Sequence, residues 1–216
     1  VHLRGSGRGA TRITSDISGT SSIPYFGTVE MDSDTSLSNL TVENNSVTDY
    51  SCTVYAQGDS NVHFSHIDVI SEGAGGTRHY GFHLVNCADP AVLHDVETRI
   101  SGASQNRGIY INGASAVMHD CRIHGAFRAA QLRNADVDAL GCQFESENIT
   151  IWAESAGANC HLKLSGCNVR ATQSGIGTTF GMYIVGPQVL VEASDVNISI
   201  EATSTAYGAW VLSEAN

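Results

Sequence analysis

The chain has 216 residues, with 22 Asp and Glu against 11 Lys and Arg, a formal net charge of −11, 22 Gly, 3 Pro and 6 Cys. Eleven scattered cations cannot neutralise a run of phosphates, so nucleic acid is excluded as a partner, and the same acidity disfavours anionic membranes. No apolar run reaches membrane-spanning length, Lys occurs once, at Lys163, and Val, Ile, Thr and Ser are abundant, which argues for an all-β chain without long amphipathic helices.

The first element in chain order is a Gly-rich stretch, LRGSGRGATRI, from Leu3 to Ile13. Beyond it two phrases alternate to the end. SLSNLTV (36–42) is followed by DYSCTVY (49–55), HFSHIDV (63–69) by HYGFHLV (79–85), VLHDVET (92–98) by NRGIYIN (106–112) and VMHDCRI (117–123) by FRAAQLR (127–133). DALGCQF (138–144) then precedes NITIWAE (148–154), KLSGCNV (163–169) precedes TFGMYIV (179–185), and EASDVNI (192–198) precedes AYGAWVL (206–212).

In the first phrase the fifth residue is apolar or Cys: Leu40, Ile67, Val96, Cys121, Cys142, Cys167 and Val196. The residue before it is Asn39, His66, Asp95, Asp120, Gly141, Gly166 or Asp195. All seven types tolerate a left-handed backbone, so a sharp corner is expected at each. This disposes of a catalytic reading of His119-Asp120-Cys121, because the same position accepts plain Gly, which can do no acid-base chemistry.

In the second phrase a small residue (Ser51, Gly81, Gly108, Ala129, Thr150, Gly181, Gly208) precedes a strictly alternating strand. The pairs Cys52 and Val54, Phe82 and Leu84, Ile109 and Ile111, Ala130 and Leu132, Ile151 and Ala153, Met182 and Ile184, Ala209 and Val211 are expected to point inward. Thr53, His83, Tyr110, Gln131, Trp152, Tyr183 and Trp210 then point outward.

Successive corners are 27, 29, 25, 21, 25 and 29 residues apart, with most of the variation in the segments between the phrases. A short unit of strands, a fixed corner and a variable loop, unable to bury its own inner face, is the unit of a stacked solenoid. The expected fold is a right-handed single-stranded parallel β-helix of about eight coils, counting the Gly-rich opening, in one domain over residues 1–216. At roughly 4.8 Å per coil the rod is on the order of 35 to 40 Å long. A β-sandwich would not hold one residue class at one locus through seven units, and the signature of a leucine-rich repeat is missing. The chain opens on Val1 within sequence that already reads as structured, so it is expected to be a segment of a longer protein.

Cys121, Cys142 and Cys167 fall in one inward column of consecutive coils, where parallel Cβ vectors are too wide for a bridge, so buried free thiols are expected. Seven of the nine His lie between His63 and His124, with His94 and His119 equivalent in adjacent coils, but no converging ligand set accompanies them, and neither a metal nor a cofactor is expected. Asp68 and Glu97 share an outward column with Arg122 next in line. Two carboxylates at that spacing are the requirement of a glycosidase, and equally the ordinary content of a charge ladder on stacked strands, which is the preferred reading. Glu145, Glu147 and Glu154 are read as a second acidic patch. The outward aromatics Tyr110, Trp152, Tyr183 and Trp210 are the feature most suggestive of a partner: they suit either sugar stacking or side-by-side packing of identical rods, and outward Val85, Val185 and Leu212 tilt the balance to packing.

The phrases LRGSGRGATRI and SGCNVRATQSG resemble the pectate-lyase-like β-helix superfamily, and most of all the β-helical bodies of bacteriophage tail spikes. The resemblance implies a homotrimer of parallel rods, on a virion surface or otherwise extracellular, that recognises cell-surface polysaccharide. It carries over no catalytic residue. The polygalacturonase elements are absent apart from the partial match Arg122-Ile123-His124-Gly125, and the arginine motif and Asp-rich calcium site of pectate lyases are missing. The leading expectation is therefore a structural or receptor-binding module without a complete active site. A polysaccharide hydrolase or lyase using Asp68 and Glu97 in a lateral groove is the alternative, and a bacterial surface adhesin the third reading.

Overall fold

A computed structural model describes residues 1–17, 26–47, 50–73, 75–173 and 177–212. All regular structure among them is β-strand, and every strand pairing is parallel, in a thirteen-stranded and an eight-stranded sheet. The first phrase of each coil lies in the larger sheet and the second in the smaller one, and the chain alternates between them to make a β-solenoid of about seven turns. The Gly-rich opening stacks on the next coil through His2–Arg4 and Arg12–Ser15, both paired to the strand Ser36–Asn44. A Cβ on Gly5 would lie 2.3 Å from the Asn39 carbonyl oxygen, so this tight approach requires glycine.

The corner is where the sequence places it. Asn39, His66, Asp95, Asp120 and Asp195 have φ between 49° and 54°, and Gly141 and Gly166 have 65° and 60°. In the upper coils the strand runs through the bend, as in His63–Ser71 and Ala91–Ile100. Lower down it splits in two, as in Ser115–His119 and Arg122–Gly125. A second left-handed column, not anticipated, closes the strands of the smaller sheet at Gly58, Asn86, Gly113, Asn134 and Gly186. Its signal was present as an Asn or Gly just after most of the second phrases.

Inward residues of both sheets form one continuous apolar core, from Leu37, Leu40 and Phe64 through Ile109 and Leu132 to Leu164 and Val169. Removing a Leu or Ile from water contributes about 1.5–3 kcal/mol, and no coil could do so alone, because each inner face is covered only by its neighbours and the opposite wall. All six cysteines are buried and free. Cys121, Cys142 and Cys167 stand in register, their flanking residues being paired coil to coil.

One register differs from expectation. The strand Tyr50–Gln57 pairs Val54 with Phe82 and Tyr55 with His83, two residues along from the phrase alignment. Thr53 is therefore inward, in the small-residue column, where its hydroxyl donates to the Ile70 carbonyl at 3.4 Å, as Thr150 donates to Arg170 at 2.9 Å. Tyr55, not Thr53, heads the outward column. Cys52 leaves the main core for a separate cluster with Tyr55, Tyr80, Val85 and Tyr110.

Candidate functional site

Two outward faces carry chemistry. On the larger sheet, Asp68 is in register with Glu97, and Glu97 with Arg122. The two carboxylates are held by arginines. Arg8 Nε lies 3.4 Å from Asp68 and Arg8 Nη2 3.1 Å from Asp95, while Arg99 reaches Asp68 at 3.8 Å and Glu97 at 3.7 Å, and Arg122 reaches Glu97 at 4.0 Å. Partial burial pushes the Asp68 carboxyl above the ordinary aspartate range, against the pull of Arg8, with the Glu97 charge adding to the rise. An open groove beside this ladder is lined by Glu97, Arg99, Arg122, His124, Gln143 and Glu145. Arg8 and Arg99 were missed by sequence reasoning. Arg8 lies 87 residues from Asp95, a separation at which no local pattern signals a pair.

Glu145 and Glu154 do not form one patch. They belong to different sheets, and each has its own cation: Arg170 at 3.5 Å from Glu145 and Arg133 at 3.6 Å from Glu154. His94 and His119 are in register, and the rings of His66 and His94 meet edge to face at 5.3 Å. Among the described residues no group of three or more His, Cys, Asp or Glu side chains is placed to hold a metal.

The second face is the outer side of the smaller sheet. Tyr55, His83, Tyr110, Gln131, Trp152, Tyr183 and Trp210 form one column. A second column, unremarked in the sequence, runs beside it: Tyr80, Arg107, Arg128, Ile149, Phe180 and Tyr207. These are the residues just before the small-residue column, and their constant bulk in the phrases HYG, NRG, FRA, TFG and AYG was the available signal.

The two columns interlock. Tyr80, His83 and Tyr110 stack at centroid distances of 5.1 to 5.9 Å, and Tyr110 is only 6% exposed, so the upper part of the ladder covers itself. Lower down, Trp152, Phe180, Tyr183, Tyr207 and Trp210 touch one another yet stay half-buried. Between these regions sit two arginines. Arg107 donates from Nη1 to the Tyr80 hydroxyl at 2.8 Å and from Nε to Gln131 Oε1, and Arg128 donates from Nη1 to the same Gln131 oxygen at 2.7 Å. The Arg128 guanidinium lies 4.0 Å over Trp152 and 4.8 Å over Phe127. Desolvation, reinforced by the neighbouring Arg107 charge, pushes Arg128 down to about 9, and Arg107 is lowered too, first by its own burial and then by the Arg78 charge.

Comparison of the chain with protein-family models, with curated proteins and with solved structures gave no match.

Proposed function

We propose that this chain is a rigid, non-catalytic module of a tail-spike-like or other extracellular surface appendage, whose rods pack side by side through the aromatic face into a homotrimer that serves as a stalk or receptor-binding body. The observation that carries the proposal is the half-buried patch of Trp152, Phe180, Tyr183, Tyr207 and Trp210, flanked by Val185 and the exposed Leu212 on a regular sheet. Beyond Trp152, whose ring meets Arg128 and Glu154, the patch is flat aromatic and aliphatic surface without interspersed charge, which suits packing better than sugar stacking, since that needs polar groups beside each ring. The test is the mass in solution by light scattering. A trimer that dissociates on combined Trp152→Ala and Trp210→Ala supports the proposal, and a wild-type monomer at tens of micromolar overturns it.

The competing reading, glycan cleavage by Asp68 and Glu97, is weaker because both carboxylates are already engaged by arginines. Release of reducing sugar from a capsule panel, lost on Asp68→Asn or Glu97→Gln, would reinstate it.

A further inference from the structure

A rung of parallel strands covers its neighbour's inner face and pairs its backbone, so a rung with a neighbour on one side only leaves apolar side chains and a row of N–H and C=O groups open. The first described rung, through His2–Arg4, Arg12–Ser15 and Val29–Glu30, pairs on one side only, and so does the last, through Val189–Ser194, Asn197–Ala202 and Ala206–Leu212. Leu3 is 46% exposed at one end and Val211 66% at the other, whereas Leu37, one rung inside Leu3, is buried. The two edges are opposite in charge. Residues 1–15 carry His2, Arg4, Arg8 and Arg12 with no acid, and residues 186–212 carry Glu192, Asp195 and Glu201 with no Lys, Arg or His.

The columns fix what meets when one edge is laid on the other. Followed coil by coil, the column of Leu3 ends at Ala193 and that of His2 at Glu192, while that of Ile13 ends at Ile198 and that of Val29 at Ala209. We infer that a second copy of this chain docks end to end, its first rung laid on the last rung of its neighbour as the next turn of the same solenoid. Every strand pairing is parallel, so a shift along the rod axis keeps the strands of the two copies parallel as well. Apolar side chains then cover apolar ones in the inner columns, and an open cleft of the first rung, lined by Leu3, Val29, Met31 and Leu37, faces the exposed Val211. On the outside His2 stands over Glu192, and the column of Arg4 ends at Ser194, next to Asp195. The acids of the first rung do not oppose this. Glu30 heads the column that ends at Trp210, and Asp32 and Asp34 precede Ser36 as the neutral Gln188 and Leu190 precede Glu192.

A head-to-tail contact does not close on itself, so its product is a filament of rods that lengthens with concentration. It uses the ends and not the aromatic face, and it extends a single rod and a side-by-side trimer alike. One rung is a small contact, of the class below about 1,200 Å² that associates transiently, so it is open at tens of micromolar and fills toward about 1 mM.

Small-angle X-ray scattering of the whole chain, from about 20 µM to about 1 mM, tests it, because it reads length and cross-section separately. The expected result is a fixed cross-section with a length that grows with concentration, the growth being at least three-fold weaker in 0.5 M sodium chloride. Side-by-side association thickens the cross-section instead, so the two kinds of contact are told apart. His2→Glu combined with Arg4→Glu, and separately Glu192→Arg, should each weaken the growth at least three-fold. An equimolar mixture of the two variants should restore it, since each offers the charge that the other lacks, and mixing would not rescue loss of folding. Glu147→Arg, away from both ends, leaves the growth unchanged. A length independent of concentration, growth indifferent to both reversals, or a mixture that fails to restore it overturns the inference. So does amide protection along Ala206–Leu212 that is as strong at 20 µM as at 1 mM, which would put another segment on that edge.

Discussion

Asp120 and Gly141 stand one coil apart at the same corner, with φ of 53° and 65°, and a Cβ built on Gly141 would lie 2.7 Å from Asp120 Oδ1. The Asp120 side chain thus occupies space that its glycine neighbour leaves open. Asp120→Gly is expected to change stability by no more than about 1 kcal/mol, since Gly loses the carboxylate but adopts the corner without strain. Asp120→Val should cost more, about 1–3 kcal/mol, because a β-branched residue is a poor fit to a left-handed backbone. Gly141→Ala meets both the backbone strain and the Asp120 oxygen, whereas Gly166→Asn, with nothing within 4 Å of its Cβ position, should be tolerated. Urea midpoints of the four variants check the order.

Cys142 lies between Cys121 and Cys167 in the core, and hydrogen bonding within the stack, chiefly with Cys121, together with burial pushes its thiol up to about 12. Cys167 is raised as well, first by its bond to Cys142 and then by burial, while Cys121 is lowered by donation from Cys142. Reactivity follows the exposed thiolate, and none of the three is accessible. Native protein at pH 8 should show no fast reaction of any of its six cysteines with a thiol reagent, and denatured protein should show six. A fast-reacting native thiol would contradict the stacked core.

The legible part of this fold was the part set by backbone geometry. Asn39, His66, Asp95, Asp120 and Asp195 differ in chemistry yet share one steric property, so the corner could be read from residue type alone. Alternation likewise identified Ile109, Ile151 and Met182 as inward. The slip of two residues at Thr53 has a physical origin: Ser51 and Thr53 are both small, and a period of two makes either an acceptable start to the alternation. Only pairing with Phe82 chooses between them. The candidate sites were half legible for a related reason. Columns within a phrase, such as Asp68 over Glu97 or Trp152 over Tyr183, follow from the repeat, but Arg8 reaches Asp95 from a loop outside it. That Tyr110 is covered while Trp210 is half open depends on how the rings lean on one another, which spacing does not encode.

The pH dependence of Asp68 has a definite sign. Its folded-state carboxyl is raised, first by burial, so the charged form is less favoured in the fold than in the unfolded chain. Stability from this group is full below the unfolded value of about 3.9 and is lost as pH rises through the higher folded value. Asp68→Asn should accordingly leave the thermal midpoint at pH 7 unchanged or raised, with any gain fading as the pH falls toward 4. A drop at pH 7 would mean instead that the contacts with Arg8 and Arg99 outweigh the desolvation cost.

Ile111, Leu132, Ala153, Ile184 and Val211 occupy a single inward column, but their burial is not the same. Ile111 is fully buried between coils, whereas Val211, in the last described strand, is 66% exposed because no described coil stacks beyond it. In a solenoid, stability is a sum over neighbouring rungs, so identical chemistry should carry a position-dependent cost. Ile111→Ala removes packed methyl groups and leaves a cavity, an expected loss of about 2–5 kcal/mol. Val211→Ala removes atoms that already touch water and should cost under about 0.5 kcal/mol. Amide exchange gives an independent reading of the same gradient: slowest around Ile109–Ile111 and Ala130–Leu132, fastest along Ala206–Leu212. Equal protection at the centre and in this last strand would show that the exposed inner face is covered in solution, and would place a further rung or another copy against Val211.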